Sequence, residues 1–226
     1  MWKNRPARGL VVFLIAFGVR AGVVASIPDI RISSDSEEYL RLADSLREER
    51  AFARNGRPET YRTPGYPFFL FVLQSLGLDS PRGIALAQAG LSAAGVALIF
   101  VTADCLYGGP VAWTAAVLLG AHPTELFSVT SLLSENLFAF LLSVLIWIVA
   151  WGGDQRRAAT AFIAGCVTGI ACLVRPVVAM LFVPLAGLFG AGGRGTRERL
   201  LAGILCLAGG ALIQGGWMWR NYERYG

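Results

Sequence analysis

Charged residues are scarce in this chain, and their scarcity excludes the ordinary soluble classes of protein. Of the 226 residues only 15% are charged, whereas 55% are hydrophobic, and an average soluble domain has about 25% charged residues. The composition therefore indicates an integral membrane protein. The net charge of +5 lies mostly in loops that flank apolar runs, so it indicates membrane topology and headgroup contacts rather than nucleic-acid binding.

Residues that form disulfides or bind metals are also few. The four cysteines lie in apolar segments without redox-like or zinc-like spacing, and we interpret them as small buried hydrophobes. They are Cys105, Cys166, Cys172 and Cys206. The single histidine, His122, has no companion ligand at a metal-like spacing. The sequence therefore predicts no disulfide and requires no metal cofactor, although a divalent cation stays an open alternative.

Long apolar runs, in contrast, are frequent. A membrane-spanning helix needs roughly 20 mainly apolar residues, and seven segments approach or meet that length. They are residues 9–27, 83–103, 110–129, 132–151, 158–174, 176–189 and 200–218. The sequence predicts an all-α integral membrane fold of about seven transmembrane helices. Residues 1–226 are expected to form a single membrane domain, with an extracytoplasmic loop at 28–82 and helices two to seven at 83–219.

Basic residues predict which side of the membrane each loop occupies. If the helices alternate in direction, three basic clusters fall on one side, which should be cytoplasmic. The clusters are Lys3, Arg5 and Arg8; Arg156 and Arg157; and Arg194, Arg197 and Arg199. The first apolar run lacks a clear cleavage site, so we interpret it as a retained helix. These features predict a multi-pass protein of the cytoplasmic membrane with its long first loop outside.

The first loop itself carries two helical patterns. Ser34 and Glu37 have the spacing of a capping box, which predicts a helix start. An apolar stripe follows at helical spacing and indicates an amphipathic helix along the outer membrane surface. Its members are Tyr39, Leu42, Ala43 and Leu46. Residues 54–59 are rich in turn formers, and the short apolar run 66–78 predicts an interfacial helix with Pro67 in its first turn.

Polar residues that interrupt the apolar segments fall at one membrane level. Given alternating helices, those near the outer ends of the spans share the level of Asp35 and Arg62. They are Glu125, Glu135, Arg175, Arg220 and Asn221. Ionisable residues at such positions are functional candidates. Arg175 also precedes Pro176, which lacks a backbone donor, so the fifth and sixth segments are expected to be separated by a turn.

Each candidate also has a structural interpretation. Asp35 could favour the first turn of its helix through the macrodipole. Glu125 or Glu135 could pair with Arg175 or Arg20 in a structural ion pair, and Arg20 could pair or reach towards the interface. The aromatic residues could be interfacial anchors or could line a lipid groove. They are Tyr61, Tyr66, Phe68, Phe69, Trp217 and Trp219.

Five stretches together resemble a known family. They are Asp35 to Tyr39, Arg62 to Pro67, Leu133 to Phe138, Leu173 to Pro176 and Trp219 to Tyr222. Their order and common sidedness resemble the integral-membrane GT-C glycosyltransferases, especially the glycosyltransferase family 39 group. That group includes protein O-mannosyltransferases and lipid A aminoarabinose transferases. Its full members are longer than this chain, so the resemblance implies an N-terminal seven-helix module, which is either a truncated piece or a minimal module that needs a partner chain.

The resemblance implies transfer of a sugar from a polyprenyl-phosphate donor to a hydroxyl or phosphate acceptor outside the membrane, with inversion. Asp35 would be the catalytic general base. Other residues would bind substrate, with the three arginines on the donor phosphate. The substrate-binding set is Arg62, Tyr39, Tyr61, Tyr66, Glu135, Arg175, Arg220 and Asn221.

Two other functions stay open. One is a non-catalytic or incomplete module of the same fold that binds or moves polyprenyl-linked substrates, or that scaffolds a partner. The other is a transporter, which is less favoured because transport sites lie near the bilayer midplane and between repeats. The charges of this chain gather instead at one surface, and its sequence contains no internal repeat.

Overall fold

The computed structural model describes residues 5–152, 157–191 and 195–225. In this part of the chain ten α-helices follow one another. They are α1 (Arg5–Ser26), α2 (Ser34–Glu48), α3 (Gly65–Ser75), α4 (Pro81–Leu106), α5 (Gly109–Gly120), α6 (Pro123–Ser128), α7 (Glu135–Trp151), α8 (Arg157–Val174), α9 (Phe182–Ala191) and α10 (Thr196–Tyr225). A 3₁₀ helix (Pro176–Leu181) precedes α9, and strands β1 (Ala53–Arg54) and β2 (Arg57–Pro58) form a small hairpin.

The helices confirm an all-α integral membrane fold. Four of them are long and apolar enough to cross a bilayer: Pro6–Ser26, Pro81–Leu106, Arg157–Val174 and Thr196–Arg224. Three apolar stretches are shorter: Gly109–Gly120, Glu135–Trp151 and Pro176–Ala191. These seven correspond in order to the seven predicted segments, while the count of seven spans stays a prediction. Lys3, Arg156 and Arg194, on which part of the topology prediction depends, lie outside the described residues.

The predicted third segment is not one helix. It divides into α5 and α6, because Pro123 has no N–H to donate and its ring disfavours a helical conformation at the preceding residue. His122 accordingly has φ −63° and ψ 122°. The same effect confirms the break predicted at Arg175, which has φ −142° and ψ 110° before Pro176.

Two helix ends also differ from the sequence prediction. The N-cap of α2 is Ser33 rather than Ser34: its backbone is extended and its hydroxyl accepts a hydrogen bond from the Ser36 N–H at 3.2 Å. Glu37 does not complete a capping box but pairs with Arg41 one turn later, at 2.6 Å. Helix α10 continues beyond the apolar segment to Tyr225. Hydropathy marks the part of a helix that lies in the bilayer and not the point at which the helix ends.

Backbone contacts divide the chain into two compact units. Unit 1 runs to Glu59 and again from Tyr66 to Ser143, and unit 2 holds Thr60–Gly65 and the chain from Val144 onward. The single domain and the loop bounds predicted from the sequence stay predictions.

Unit 1 has an apolar core between α1, α4 and α5. Val12 and Ala16 of α1 pack with Phe100 of α4 and Ala112 of α5, and all four are buried. The Phe100 ring meets the edge of Trp113 with centroids 4.9 Å apart. The opposite face of α1 exposes large apolar side chains, such as Leu14 at 56%. Such a face suits contact with lipid.

Helix α2 packs its predicted apolar stripe inside unit 1. Leu42 and Ala43 are buried, and Gln74 of α3 donates to the Asp44 carboxylate at 2.9 Å. The turn-rich segment that follows forms the β1–β2 hairpin. Its turn residues, Asn55 and Gly56, both have positive φ, 54° and 73°. Asn-Gly is a typical sequence for a two-residue hairpin loop with this conformation.

Unit 2 is built on a close pairing of α8 with α10. Ala161 and Ala164 of α8 pack with Ala202 and Cys206 of α10, and all are buried. Farther along, Gln214 donates to the backbone oxygen of Gly169 at 2.8 Å. Small residues on both helices let the two backbones approach, as is common in membrane helix pairs.

This close approach gives a prediction for Gly165 of α8. A Cβ atom at position 165 would collide with the backbone oxygen of Cys206, and a backbone atom cannot move aside as a flexible side chain can. Gly165→Ala should therefore destabilise the protein by about 1–3 kcal/mol, the usual cost of overpacking. Thermal unfolding in detergent would show a lowered midpoint.

Gly216→Ala is the matched control for Gly165→Ala. A Cβ at position 216 meets nothing within 4 Å, so alanine should leave the midpoint unchanged or raise it through its helix propensity. Equal midpoints for Gly165→Ala and the unmodified chain would contradict the packing argument.

Candidate functional site

Asp35 lies in the first turn of α2 and its side chain is exposed. The turn is held by its neighbours: Ser36 is buried, and the hydroxyl oxygens of Ser33 and Ser36 are 2.8 Å apart. The positive end of the helix dipole favours a carboxylate at this position. The arrangement presents a carboxylate from a fixed backbone, which suits a general base and equally suits the structural alternative.

Tyr39 lies one helical turn after Asp35 on α2, and it forms an aromatic pair with Tyr66 of α3. Their ring centroids are 5.0 Å apart at an interplanar angle of 80°. Tyr39 is half-buried, whereas Tyr66 is completely buried. Burial raises the pKa of the Tyr66 phenol well above its usual range, and the charges of Glu135 and Tyr39 raise it further. The phenol therefore stays protonated, and its direct contact with substrate stays a prediction.

The Tyr66 hydroxyl donates a hydrogen bond to Gln88 Oε1 at 3.0 Å. Gln88 is a fully buried residue of α4, and its Nε2 donates to the backbone oxygens of Val129 and Ser131 at 3.2 and 3.0 Å. Sequence reasoning did not single out Gln88. Its signal was present, since an amide inside a 26-residue apolar helix needs buried partners.

Glu135 begins α7 and is exposed. The residues on either side of it, Ser134 and Asn136, are buried. The Asn136 amide donates to the Ser128 backbone oxygen at 2.9 Å, and the Ser128 hydroxyl donates to Asn136 Oδ1 at 3.0 Å. The flanking residues therefore anchor the motif, and the glutamate between them is exposed.

Arg20 is completely buried, so it does not reach towards the interface. Its Nε donates to the Ser92 hydroxyl at 2.8 Å, and one terminal nitrogen donates to the backbone oxygen of Gly120, the last residue of α5, at 3.4 Å. Glu125 attracts the guanidinium electrostatically. A direct ion pair of Arg20 with Glu125 stays a prediction.

In unit 2, the segment that carries Tyr61 and Arg62 packs on the end of α8. The Thr63 hydroxyl donates to the Val174 backbone oxygen at 3.2 Å. A Cβ at Gly65 would lie 2.6 Å from the Leu173 backbone oxygen, so the close approach requires glycine at this position. The Arg62 guanidinium lies over the exposed Tyr61 ring, 5.6 Å from its centroid.

Arg220 and Asn221 lie in the last turns of α10. The Arg220 guanidinium lies over the Trp217 ring, 4.8 Å from its centroid, and donates to Asn221 Oδ1 at 2.9 Å. Cation–π contact and the amide hold the planar fork of the arginine in one orientation. The guanidinium remains half-exposed.

An apolar cavity of about 410 Å³ lies within unit 2. Its volume falls within the range of small-molecule pockets, roughly 300–1,000 Å³. The lining residues are Thr63, Cys172, Pro176, Ala179, Phe182, Leu207, Gly210, Ala211, Gln214, Trp217 and Met218. Three of these lie next to candidate arginines: Thr63 follows Arg62 and Pro176 follows Arg175 in the chain, and the Trp217 ring lies under the Arg220 guanidinium. Contact of the three arginines with a ligand in this cavity stays a prediction.

No metal centre is formed by the part of the chain that the structure describes. Among residues 5–152, 157–191 and 195–225, no three His, Cys, Asp or Glu side chains come together as metal ligands. His122 caps α6 and is exposed.

Comparison with known proteins supports the resemblance seen in the motifs. The sequence model of the family described as dolichyl-phosphate-mannose-protein mannosyltransferase matches residues 61–214. The matched stretch contains Arg62, Glu135 and Arg175, whereas Asp35 and Arg220 lie outside it. No curated protein and no solved structure matches the chain. Because the match covers more than half of the 226 residues, the chain belongs to this family of GT-C membrane glycosyltransferases.

Proposed function

We propose that the chain transfers a sugar from a polyprenyl-phosphate donor to a hydroxyl or phosphate acceptor at the extracytoplasmic face of the cytoplasmic membrane. The observation that carries this proposal is the apolar cavity of unit 2 with its three associated arginines. A polyprenyl phosphate needs two environments, an apolar one for its isoprene chain and a cationic one for its phosphate. The cavity would supply the first environment and the arginines would supply the second.

The cavity walls suit an isoprenoid. Apart from Thr63 and Gln214, the lining is made of apolar or weakly polar side chains. Gln214 already donates to Gly169 and Thr63 to Val174, so each of these two polar side chains keeps a partner in the protein when an apolar chain fills the space. Burying apolar surface there contributes roughly 25 cal/mol per Å².

The arginines suit the phosphate. Guanidinium groups bind phosphate oxygens through paired N–H donors. Stacking on Trp217 orients the Arg220 guanidinium. Arg62 and Arg175 flank cavity residues in the matched stretch. Together they would neutralise the charge of the phosphate as it leaves.

The reaction is then a single displacement. The acceptor hydroxyl gives its proton to the Asp35 carboxylate while its oxygen forms a bond to the anomeric carbon. The bond between that carbon and the phosphate oxygen breaks, and the electron pair leaves with the polyprenyl phosphate. One displacement inverts the anomeric configuration. With a phosphate acceptor, an anionic oxygen attacks and no proton has to be removed.

The test of this function is a transfer assay on the chain in membranes. Radiolabelled sugars on a mixed pool of polyprenyl phosphates are supplied, and movement of label from the lipid to an acceptor is followed. We expect transfer that depends on the chain. Retention of labelled donor on purification without transfer would favour the non-catalytic or incomplete module, which a partner chain could complete. If the chain neither retains labelled donor nor transfers the sugar, the proposal is overturned.

A cavity-filling variant tests the isoprenoid site. Ala211→Phe places a ring in the cavity and should raise the KM for the donor about tenfold. Tenfold corresponds to about 1.4 kcal/mol, which is the contribution of some 55 Å² of apolar contact at roughly 25 cal/mol per Å². Donor titration of the transfer rate measures the effect.

Ala208→Phe is the matched control for this variant. Ala208 is another exposed alanine of α10, and it does not line the cavity. Its KM should equal that of the unmodified chain. Equal KM values for Ala211→Phe and Ala208→Phe would place the isoprenoid elsewhere.

A further inference from the structure

The Gln88 side chain is completely buried, and both its oxygen and its nitrogen form hydrogen bonds inside the protein. Its Oε1 accepts from Tyr66, and its Nε2 donates to the Val129 and Ser131 oxygens. A primary amide is the side chain that offers one acceptor and two donors at this length. Glutamate would lose both donors, and leucine would lose all three bonds.

The two backbone oxygens belong to the turn that connects α6 to α7. The turn is built from short-range bonds, such as Ser131 N–H to the Ser128 oxygen at 3.0 Å. Val129 is completely buried, so its oxygen needs a partner inside the protein. Gln88 supplies that partner. The turn ends at Glu135, the exposed first residue of α7.

The third partner, Tyr66, extends the connection to α2. Its ring packs edge-on against Tyr39, which lies one helical turn after Asp35 on the same helix. Gln88 therefore bonds directly to the turn that leads to Glu135. Through Tyr66 it is also connected to the helix that carries Asp35. All of these residues belong to unit 1.

A second buried polar contact lies one turn farther along α4. Ser92, four residues after Gln88, accepts from Arg20, which in turn reaches the Gly120 oxygen at the end of α5. Gln88 and Ser92 thus share one face of α4. The stretch between α5 and α7 is therefore bonded near both of its ends, by Arg20 at Gly120 and by Gln88 at the 129–131 turn.

We propose that Gln88 is a positioning residue for the transferase site. Its amide fixes the 129–131 turn and Tyr66 relative to each other. The inference rests on the proposed function, since the site it would position is the one that holds Asp35 and Glu135. Gln88 acts through Tyr66 and the turn and does not touch substrate.

The experiment compares Gln88→Leu with the unmodified full chain in membranes. Donor binding gives the number of folded sites, and transfer rates are divided by that number. We expect kcat per donor-binding site to fall roughly 10- to 100-fold, because small displacements of reacting groups have effects of this size. The KM for the donor should change less than twofold, since the donor contacts proposed above lie in unit 2. A structural role alone would reduce the number of sites without changing kcat per site.

Tyr66→Phe provides a test of the connection. If Tyr66 and Gln88 act as one unit, adding Tyr66→Phe to Gln88→Leu should lower kcat less than twofold further, although Tyr66→Phe alone lowers it measurably. Thr102→Val is the matched control. Thr102 is also buried in α4, but its hydroxyl bonds within the helix to Leu98 at 2.8 Å, so kcat per site should be unchanged.

A second readout does not depend on activity. A single cysteine at Leu133, in a chain without its native cysteines, reports thiol labelling of the turn, and one at the exposed Ser75 serves as reference. Gln88→Leu should raise the labelling rate at position 133 at least fivefold and leave position 75 unchanged. Unchanged labelling, or an unchanged kcat per site, would overturn the proposal. Absence of transfer by the unmodified chain would count against the proposed function instead, while labelling still reports whether Gln88 holds the turn.

Discussion

Asp35→Asn is expected to abolish sugar transfer to a hydroxyl acceptor while leaving donor binding intact. Asparagine keeps the shape of the side chain but cannot take the proton of the acceptor, and loss of a general base lowers rates by about 10²- to 10⁴-fold. The fold should not change, because the α2 N-terminus is capped by Ser33 and anchored by the buried Ser36. The measurement is the rate of label transfer per donor-binding site.

Glu37→Gln is the control for this prediction. Glu37 lies in the same exposed helical turn and pairs with Arg41 on the surface, so its neutralisation removes one negative charge without touching the proposed base. Its transfer rate should stay within twofold of that of the unmodified chain. A full rate in Asp35→Asn would exclude Asp35 as the base and leave its helix-dipole role as the explanation of the residue.

Arg175→Ala is expected to weaken donor binding by roughly 10- to 100-fold. One charge-assisted contact to phosphate contributes about 1.5–3 kcal/mol, and tenfold in affinity is 1.4 kcal/mol. The break at Pro176 holds the Arg175 backbone at the end of α8, with its N–H bonded to the Ala171 oxygen at 2.8 Å. Binding of a labelled polyprenyl-phosphate sugar to purified protein measures the loss.

Two further variants give the result its meaning. Arg175→Lys should recover only part of the affinity, because lysine keeps the charge and loses the planar fork. Arg157→Ala removes an arginine at the opposite end of the same helix, where it donates to the Phe189 backbone oxygen at 2.9 Å. It should leave donor affinity unchanged. Equal losses for Arg157→Ala and Arg175→Ala would mean that the phosphate assignment is wrong.

Local chemistry explains where the sequence prediction succeeded. The apolar runs predicted the membrane helices, and Pro176 predicted the break after α8. It also explains two errors. Pro123 has the same helix-breaking effect as Pro176, but it lies inside an apolar run, whose hydropathy alone predicts one span. At α2, Ser33 and Ser34 are both suitable caps, and only the backbone conformation of Ser33 selects between them.

The candidate site was predictable in part. Motif order was sufficient for the family, which the match over residues 61–214 confirmed. The same residues did not reveal that Tyr66 is buried and bonded to Gln88, or that Thr63 and Trp217 line one cavity. In sequence, Thr63 and Trp217 look like a loop residue and an interfacial anchor, because nothing local distinguishes them from such residues.

By itself the sequence determined the membrane class, the positions of the apolar helices and the family. Hydropathy and proline breaks act over a few neighbouring residues, and the order of the motifs follows directly from the chain. Only the tertiary structure decided the partners of buried polar groups. Gln88 meets Ser131 and Arg20 meets Gly120 across 43 and 100 residues of chain. Such pairings follow from how helices pack, since an amide or guanidinium buried among apolar side chains must find its partners wherever packing brings them.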